Sequence, residues 1–163
     1  MGLRRRTYVR PSQVDFLSLS RPDKTAFITE AVVQYWIGKR YSCHIELGLK
    51  KRGHLRADVF CLNTKSDTVI TEVKSCWQDF KTDKKWQNYK PFCMRMYFAI
   101  DETLFATHGT KILEAIEGHS CGLIVIDARG NAAVRSNARR TKMKNEVLAR
   151  MLIKCAWRGG RFS

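Results

Sequence analysis

The chain predicts an α/β domain whose mixed central sheet is flanked by helices on both faces. Three observations carry this expectation. Stretches with apolar residues at three- and four-residue steps alternate with short β-branched or apolar runs. Residues 55–62 and 68–74 alternate in polarity on either side of Asn63, Thr64, Lys65, Ser66 and Asp67, a hairpin signature. Residues 121–126 are nearly continuously apolar, the pattern of a strand buried on both sides. The 163 residues suit one hydrophobic core, so a single domain over 1–163 is expected, with a basic N-terminal segment and a basic C-terminal helix.

The elements follow in order. Ser20, Pro22 and Asp23 form a cap, a first-turn proline and an early acid, and Phe27, Ile28, Ala31, Val32, Tyr35 and Trp36 supply an apolar stripe, so a helix is expected over 22–38, ending at Gly38. A strand over 41–47 closes at Gly48 and leads into the basic turn Lys50, Lys51, Arg52, Gly53. The hairpin strands come next, with Val69, Ile70, Thr71 and Val73 the most strand-like. A short helix is expected within 76–90, ending before Pro91, then a strand over 94–100 and a helix over 102–117 ending at Gly118. After the 121–126 strand, a turn at Arg129 and Gly130 leads to a short strand at 132–134 and a last helix over 141–156. That helix carries Met143, Val147, Leu148, Met151, Leu152 and Cys155 on one side.

Charge narrows the partner. Thirty Lys and Arg against fifteen Asp and Glu give a formal +15. Residues 1–10 hold four Arg and no acid, and residues 128–163 hold ten basic residues against Glu146 alone, so the two ends carry thirteen of the fifteen excess charges. Such an excess calls for a polyanion, nucleic acid first. The near-balanced centre leaves room for carboxylates with a specific task. An anionic-membrane role would need the last helix to leave its apolar stripe unpacked. No run of eighteen apolar residues exists, and Arg4, Arg5 and Arg6 are followed by no apolar leader core. The six cysteines form no CxxC pair. Reduced thiols in an intracellular, cytoplasmic protein (nucleoid-associated if bacterial or phage-encoded) are the expectation, and a zinc site built from distant cysteines has no local spacing behind it.

The hairpin concentrates the chemistry. A turn centred near Lys65 sets Asp58 opposite Glu72, and residues two apart share a face, so Arg56 and Asp58 lie together on one strand and Glu72 and Lys74 on the other. Two facing carboxylates repel unless a cation lies between them, and a hard divalent ion is the natural one. Lys74 would neutralise developing charge or orient an attacking water. The competing reading is a cross-strand surface pair compensated by Arg56. Glu30, mid-helix beside the apolar stripe, is either a third acid reaching the site or a solvated residue paired with a lysine.

The spacing of fourteen residues from Asp58 to Glu72, with Glu72-Val73-Lys74 as an E-x-K element, resembles the core of the PD-(D/E)xK nuclease superfamily. The blocks Arg56-Ala57-Asp58-Val59, Thr71-Glu72-Val73-Lys74-Ser75, Asp79-Phe80, Asp83-Lys84-Lys85-Trp86 and Tyr97-Phe98-Ala99 resemble the narrower group of MmcB-type DNA-repair-related proteins. The resemblance implies a restriction-endonuclease-like core and a nuclease that hydrolyses DNA phosphodiester bonds in repair, recombination or phage DNA processing. It implies Asp58, Glu72 and the carbonyl of Val73 as ligands of Mg²⁺ (or Mn²⁺), Lys74 as catalytic, and Glu30 as the helix glutamate of many members. Gly53-His54 stands where many members carry a proline near the acid. The alternative function is a catalytically silent nucleic-acid-binding module of the same fold.

For DNA contacts the candidates are Lys50, Lys51, Arg52 and Arg56 around the basic turn, Lys81, Lys84, Lys85 and Gln87 after the E-x-K element, and Arg139 and Arg140 before the last helix. Asp79 and Asp83 either pair with the neighbouring lysines or stand near the metal. Trp77, Phe80 and Trp86 read as core caps in preference to base-stacking rings. A homodimer is an open expectation, since one small nuclease active centre cuts one strand.

Overall fold

A computed structural model describes residues 13–52 and 54–162. The Arg-rich residues 1–10 lie outside the described residues. The chain runs α1 (Arg21–Gly38), β1 (Ser42–Gly48), β2 (Arg56–Leu62), β3 (Thr68–Val73), α2 (Trp77–Thr82), a 3-10 helix (Trp86–Phe92), β4 (Arg95–Asp101), α3 (Glu102–Ile116), β5 (Cys121–Ile126), β6 (Ala132–Ser136) and α4 (Asn145–Arg158). No described helix is long and apolar enough to cross a membrane.

The six strands form one sheet in sequence order. β1–β2, β2–β3 and β5–β6 are antiparallel, whereas β3–β4 and β4–β5 are parallel. A parallel pair needs a crossover. The segment holding α2 and the 3-10 helix supplies the first and α3 the second. Both crossovers pack on the same face of the sheet with α4, where Phe60, Ile70, Phe98 and Leu123 meet Phe80, Trp86, Ile112 and Met151. α1 covers the other face, laying Phe27, Ile28, Val32 and Trp36 against Val59, Val69, Ala99 and Ile124. The mixed sheet with helices on both faces is therefore as expected.

Local signals explain most boundaries. The Ser20 hydroxyl accepts from the Asp23 amide at 3.3 Å, closing the α1 N-terminus as its cap. Asp101 does the same for α3, accepting from Thr103 and Leu104. Trp36 donates its indole N–H to Thr71 Oγ1 at 3.0 Å, pinning α1 to the middle of the sheet.

Two expected helices are corrected. The 76–90 segment divides into α2 and a 3-10 helix, and the latter runs through Pro91 to Phe92. The break falls at Asp83, whose carboxylate turns to accept from the Lys85 amide and from Lys74. The last helix begins at Asn145, four residues later than expected, because the Thr141 amide is taken by the Met94 carbonyl at 2.8 Å and the Lys144 cap is extended. The stripe expected from the sequence is packed through Val147, Met151 and Cys155, whereas Ile153 and Trp157 on another arc of the helix are exposed. All six cysteines are free thiols, and Cys43 and Cys61 face each other across β1–β2 with sulfurs 3.4 Å apart.

The segment after α4 returns to the sheet. Arg161 exchanges both backbone hydrogen bonds with Cys43 of β1, at 2.6 and 2.8 Å, and Gly160 lies so close to the His44 ring that a Cβ there would meet it at 2.6 Å. Gly122 of β5 is equally confined. A Cβ at this position would stand 2.4 Å from the Tyr97 ring and 2.6 Å from the Ala138 backbone nitrogen. The backbone cannot yield as a flexible side chain can, so Gly122→Ala is expected to cost about 2 kcal/mol, lowering the thermal midpoint by roughly 4–8 °C; a differential scanning calorimetry trace matching wild type would contradict the packing.

Candidate active site

The β2–β3 ladder ends where the acids begin. Its register pairs Val59 with Thr71 and Phe60 with Ile70, and continuing it places Asp58 opposite Glu72, as the hairpin spacing requires. Past Thr71 the strands part. β3 stays with β4, pairing Glu72 with Phe98 and Val73 with Ala99. β2 stays with β1, pairing Ala57 with Leu47 and Arg56 with Gly48.

The two carboxylates close this fork. Glu72 Oε1 accepts from the Asp58 amide at 3.0 Å, and Asp58 Oδ2 accepts from the Val73 amide at 2.8 Å. Each acid thus binds the backbone of the other strand through one oxygen. Because Thr71 faces α1 through Trp36, Glu72 faces the opposite side, over the packed layer of α2, the 3-10 helix and α4.

Burial governs the electrostatics. Glu72 is 3% exposed. Loss of solvent, aided by the Asp58 charge, pushes its carboxyl from the ordinary value up to about 8, against the opposing pull of the Asp58 N–H and of Lys74. Burial also raises the Asp58 carboxyl, with the Val73 N–H and Lys74 acting the other way. Lys74 is only 9% exposed and bonds Asp83 Oδ2 at 2.5 Å. Asp83, reached only after α2, thereby fixes the ammonium beside the acids. Nearby Tyr89 has its phenol pushed up by burial and by the charges of Glu72, Asp83 and Asp58, which marks the same corner of the sheet.

The other expected residues divide by position. Lys50, Lys51 and Arg52 are exposed in the β1–β2 turn, one strand-start away from Asp58. Arg56 is exposed too, but it pairs with Glu46 at 3.6 Å and does not compensate the two acids through a described ion pair. Lys81, Lys84, Lys85 and Gln87 are exposed around the α2 end and the start of the 3-10 helix, on the other flank of the fork. Phe80 and Trp86 are core residues and Trp77 stacks on His108, as the core reading expects. Asp79 binds Arg21, not a neighbouring lysine.

Two sets lie elsewhere. Glu30 sits on α1, where Arg161 grips it with two bonds of 2.7 and 2.9 Å and Gln34 adds a third. Arg140 pairs with Asp67 at 3.1 Å, and Arg139 bonds the Ser120 carbonyl through its amide. Asp67 precedes the start of β3, so this basic pair lies at the opposite end of the strand from Glu72, about 17 Å along it.

Two carboxylates and a backbone carbonyl are a hard-oxygen set, and Mg²⁺ accepts one or two carboxylates with water in its remaining positions. The donors present fit such an ion, because a cation would offset the burial and the Asp58 charge that together raise the Glu72 carboxyl. Among the described residues no group of three or more His, Cys, Asp or Glu gathers around one point. Glu46 is the site neighbour that sequence reasoning did not assign; Asp83, expected beside the neighbouring lysines or near the metal, pairs instead with Lys74 nine residues before it, a spacing with no helical or strand meaning.

Residues 13–158 match the MmcB-like family, described as "DNA repair protein MmcB-like". Among solved structures, a protein of unknown function from Silicibacter pomeroyi superposes with a TM-score of 0.68 at 24% identity, covering 86% of this chain and 87% of its own. An XisH family protein from Nostoc punctiforme superposes with a TM-score of 0.50 at 14% identity, covering 66% of this chain and 96% of its own. Both likenesses concern the fold alone. None of the curated proteins matches the chain. The family match spans the forked hairpin, Lys74 and every described helix, and on that extent the chain belongs to the MmcB-like family of DNA repair proteins, with a PD-(D/E)xK-like core.

Proposed function

We propose that the protein is a Mg²⁺-dependent deoxyribonuclease whose active centre is the β2–β3 fork. The observation that carries this reading is the facing pair of half-buried Asp58 and buried Glu72, with Lys74 beside them and Asp83 behind. A protein that only bound DNA would gain nothing from holding two acids close to phosphates, and burying them costs stability.

Asp58 and Glu72, with the Val73 carbonyl, would hold the ion, and Mn²⁺ would substitute for Mg²⁺. Such an ion, when bound, lowers the pKa of coordinated water and stabilises negative charge on a phosphodiester. The chain's own residues do the rest. Glu72, whose carboxyl burial pushes up, would give up its proton to become a ligand. Lys74, oriented by Asp83, presents an ammonium to the phosphate oxygens and to the attacking water. Lys50, Lys51, Arg52 and Arg56 on one flank, and Lys81, Lys84, Lys85 and Gln87 on the other, offer phosphate contacts on either side of the cut. Arg139 and Arg140 would meet only DNA extending along the length of β3. Glu30 enters through its pair with Arg161, which secures the chain near its end against α1.

Cleavage of labelled single-stranded, duplex, flap and four-way DNA is expected with Mg²⁺ or Mn²⁺ and not with EDTA. Asp58→Ala is expected to reduce cleavage by about two to three orders of magnitude while leaving binding intact. Wild-type cleavage by that variant would remove the metal-site reading, and tight binding without any cleavage by the wild type would support the silent-module alternative.

Asp83→Asn leaves Lys74 in place but without its anchor. A roughly ten- to hundredfold fall in kcat with little change in KM is expected, and Asp83→Glu should recover part of it; an unchanged kcat would deny Asp83 a positioning role.

The folded, metal-free protein keeps a proton on Glu72 up to about pH 8, whereas an unfolded chain loses it near 4.5. The native state binds more protons across that window, so stability falls as pH rises from about 4.5 to 8, and Asp58 acts in the same direction. Urea denaturation in EDTA is expected to show a loss of about a few kcal/mol over this range. The slope should flatten in Glu72→Gln.

A further inference from the structure

The outward face of α4 carries an apolar surface that the fold does not use. Trp157 is 89% exposed and Ile153, one turn before it, is 57% exposed, whereas Met151 and Cys155 on the same helix are buried. Cations border this stripe. Arg150 bonds the Glu146 carbonyl, Lys154 bonds the Gly48 carbonyl at 2.7 Å, and Arg158 bonds the Glu46 carbonyl at 2.7 Å. These partners are backbone oxygens, so none of the three positive charges is neutralised by a carboxylate among the described residues.

The same bonds place the stripe beside the fork. Glu46 and Gly48 end β1, where Gly48 pairs with Arg56 at the start of β2, and the Glu46 charge is felt at Asp58. Trp157 therefore adjoins an arginine whose carbonyl partner belongs to a residue acting on an active-site acid. An indole face rimmed by cations matches the two features of an unpaired strand, a flat π-surface on each base and a charge on each phosphate. Duplex DNA keeps its bases stacked inward and offers such a ring little. The charge complementarity selects a nucleic-acid occupant over a neutral protein surface.

We infer that α4 is a stacking platform for single-stranded DNA, with Trp157 taking an unpaired base while Arg150, Lys154 and Arg158 hold the flanking phosphates and lead the strand toward Asp58 and Glu72. This rests on the DNA-processing reading above and specifies its substrate as DNA with an unpaired segment.

The test uses the full chain in EDTA, with a labelled oligothymidylate and a duplex of equal length. Trp157→Ala is expected to weaken the single strand about tenfold, to leave the duplex within about twofold, and to preserve the slope of affinity against salt, since no charge is removed. Trp157→Phe should keep most of the affinity. Indole fluorescence of the wild type should be quenched by the strand, and that quenching should be lost in Trp157→Phe. Unchanged single-strand affinity in a folded Trp157→Ala protein would overturn the proposal and leave the nuclease reading standing. Loss of self-association in that variant with DNA affinity unchanged would also overturn it, assigning the face to a second copy. If the wild type bound neither DNA form, the nucleic-acid reading itself would fall.

Discussion

The rest of the molecule depends on the parting of β2 and β3 after Thr71. A sheet that stayed paired there would satisfy its own amides and leave the acids side by side on a closed surface. Instead the amides of Asp58 and Val73 are each taken by the other strand's carboxylate. The groups that close the fork are the groups suited to a cation, so the integrity of the sheet and the chemistry of the site are one arrangement. The parallel pairing of β3 with β4 holds one prong and the antiparallel pairing of β1 with β2 holds the other. Trp36 bonded to Thr71 braces the last paired rung from the opposite face. Lys74 and Asp83 then form a partly buried ion pair over the prong that carries Glu72, an arrangement that costs less than an isolated ammonium in the same place.

What could be seen in the sequence was whatever follows from short-range periodicity. The five polar residues centred on Lys65 set the hairpin register, and the two-residue strand period put Asp58 and Glu72 opposite each other. The apolar spacing of α1 and α3, the Ser20 cap and the apolar run of β5 were equally plain. Faces along β2 were less so. Val59 and Cys61 pack toward α1, but Ala57 joins the opposite cluster with Leu47, next to Glu46 at a φ of 52°. A backbone twist of that kind carries no side-chain signature.

The features that stayed hidden are contacts between charged residues far apart in the chain. Arg161 meets Glu30 across 131 residues and Arg140 meets Asp67 across 73. Neither pair obeys a spacing rule, because both arise only when the sheet has brought the elements together. The break between α2 and the 3-10 helix has the same origin, since Asp83 leaves helical geometry to serve the lysine just after β3. Trp157 escaped notice for another reason. A helix face is legible as apolar or polar, but which arc of a mostly basic helix is left in solvent depends on where Lys154 and Arg158 find carbonyls on β1.

β1 lies at the margin of the sheet, where an extended backbone normally presents its unpaired amides and carbonyls to any passing segment. Arg161 occupies both groups of Cys43, Gly160 fills the space over His44, and the guanidinium clasp on α1 keeps this short patch from peeling away. The molecule thus shields its own flank with a few residues from after its final helix. Ribbon-like growth through that border is disfavoured, without recourse to a proline in the marginal strand.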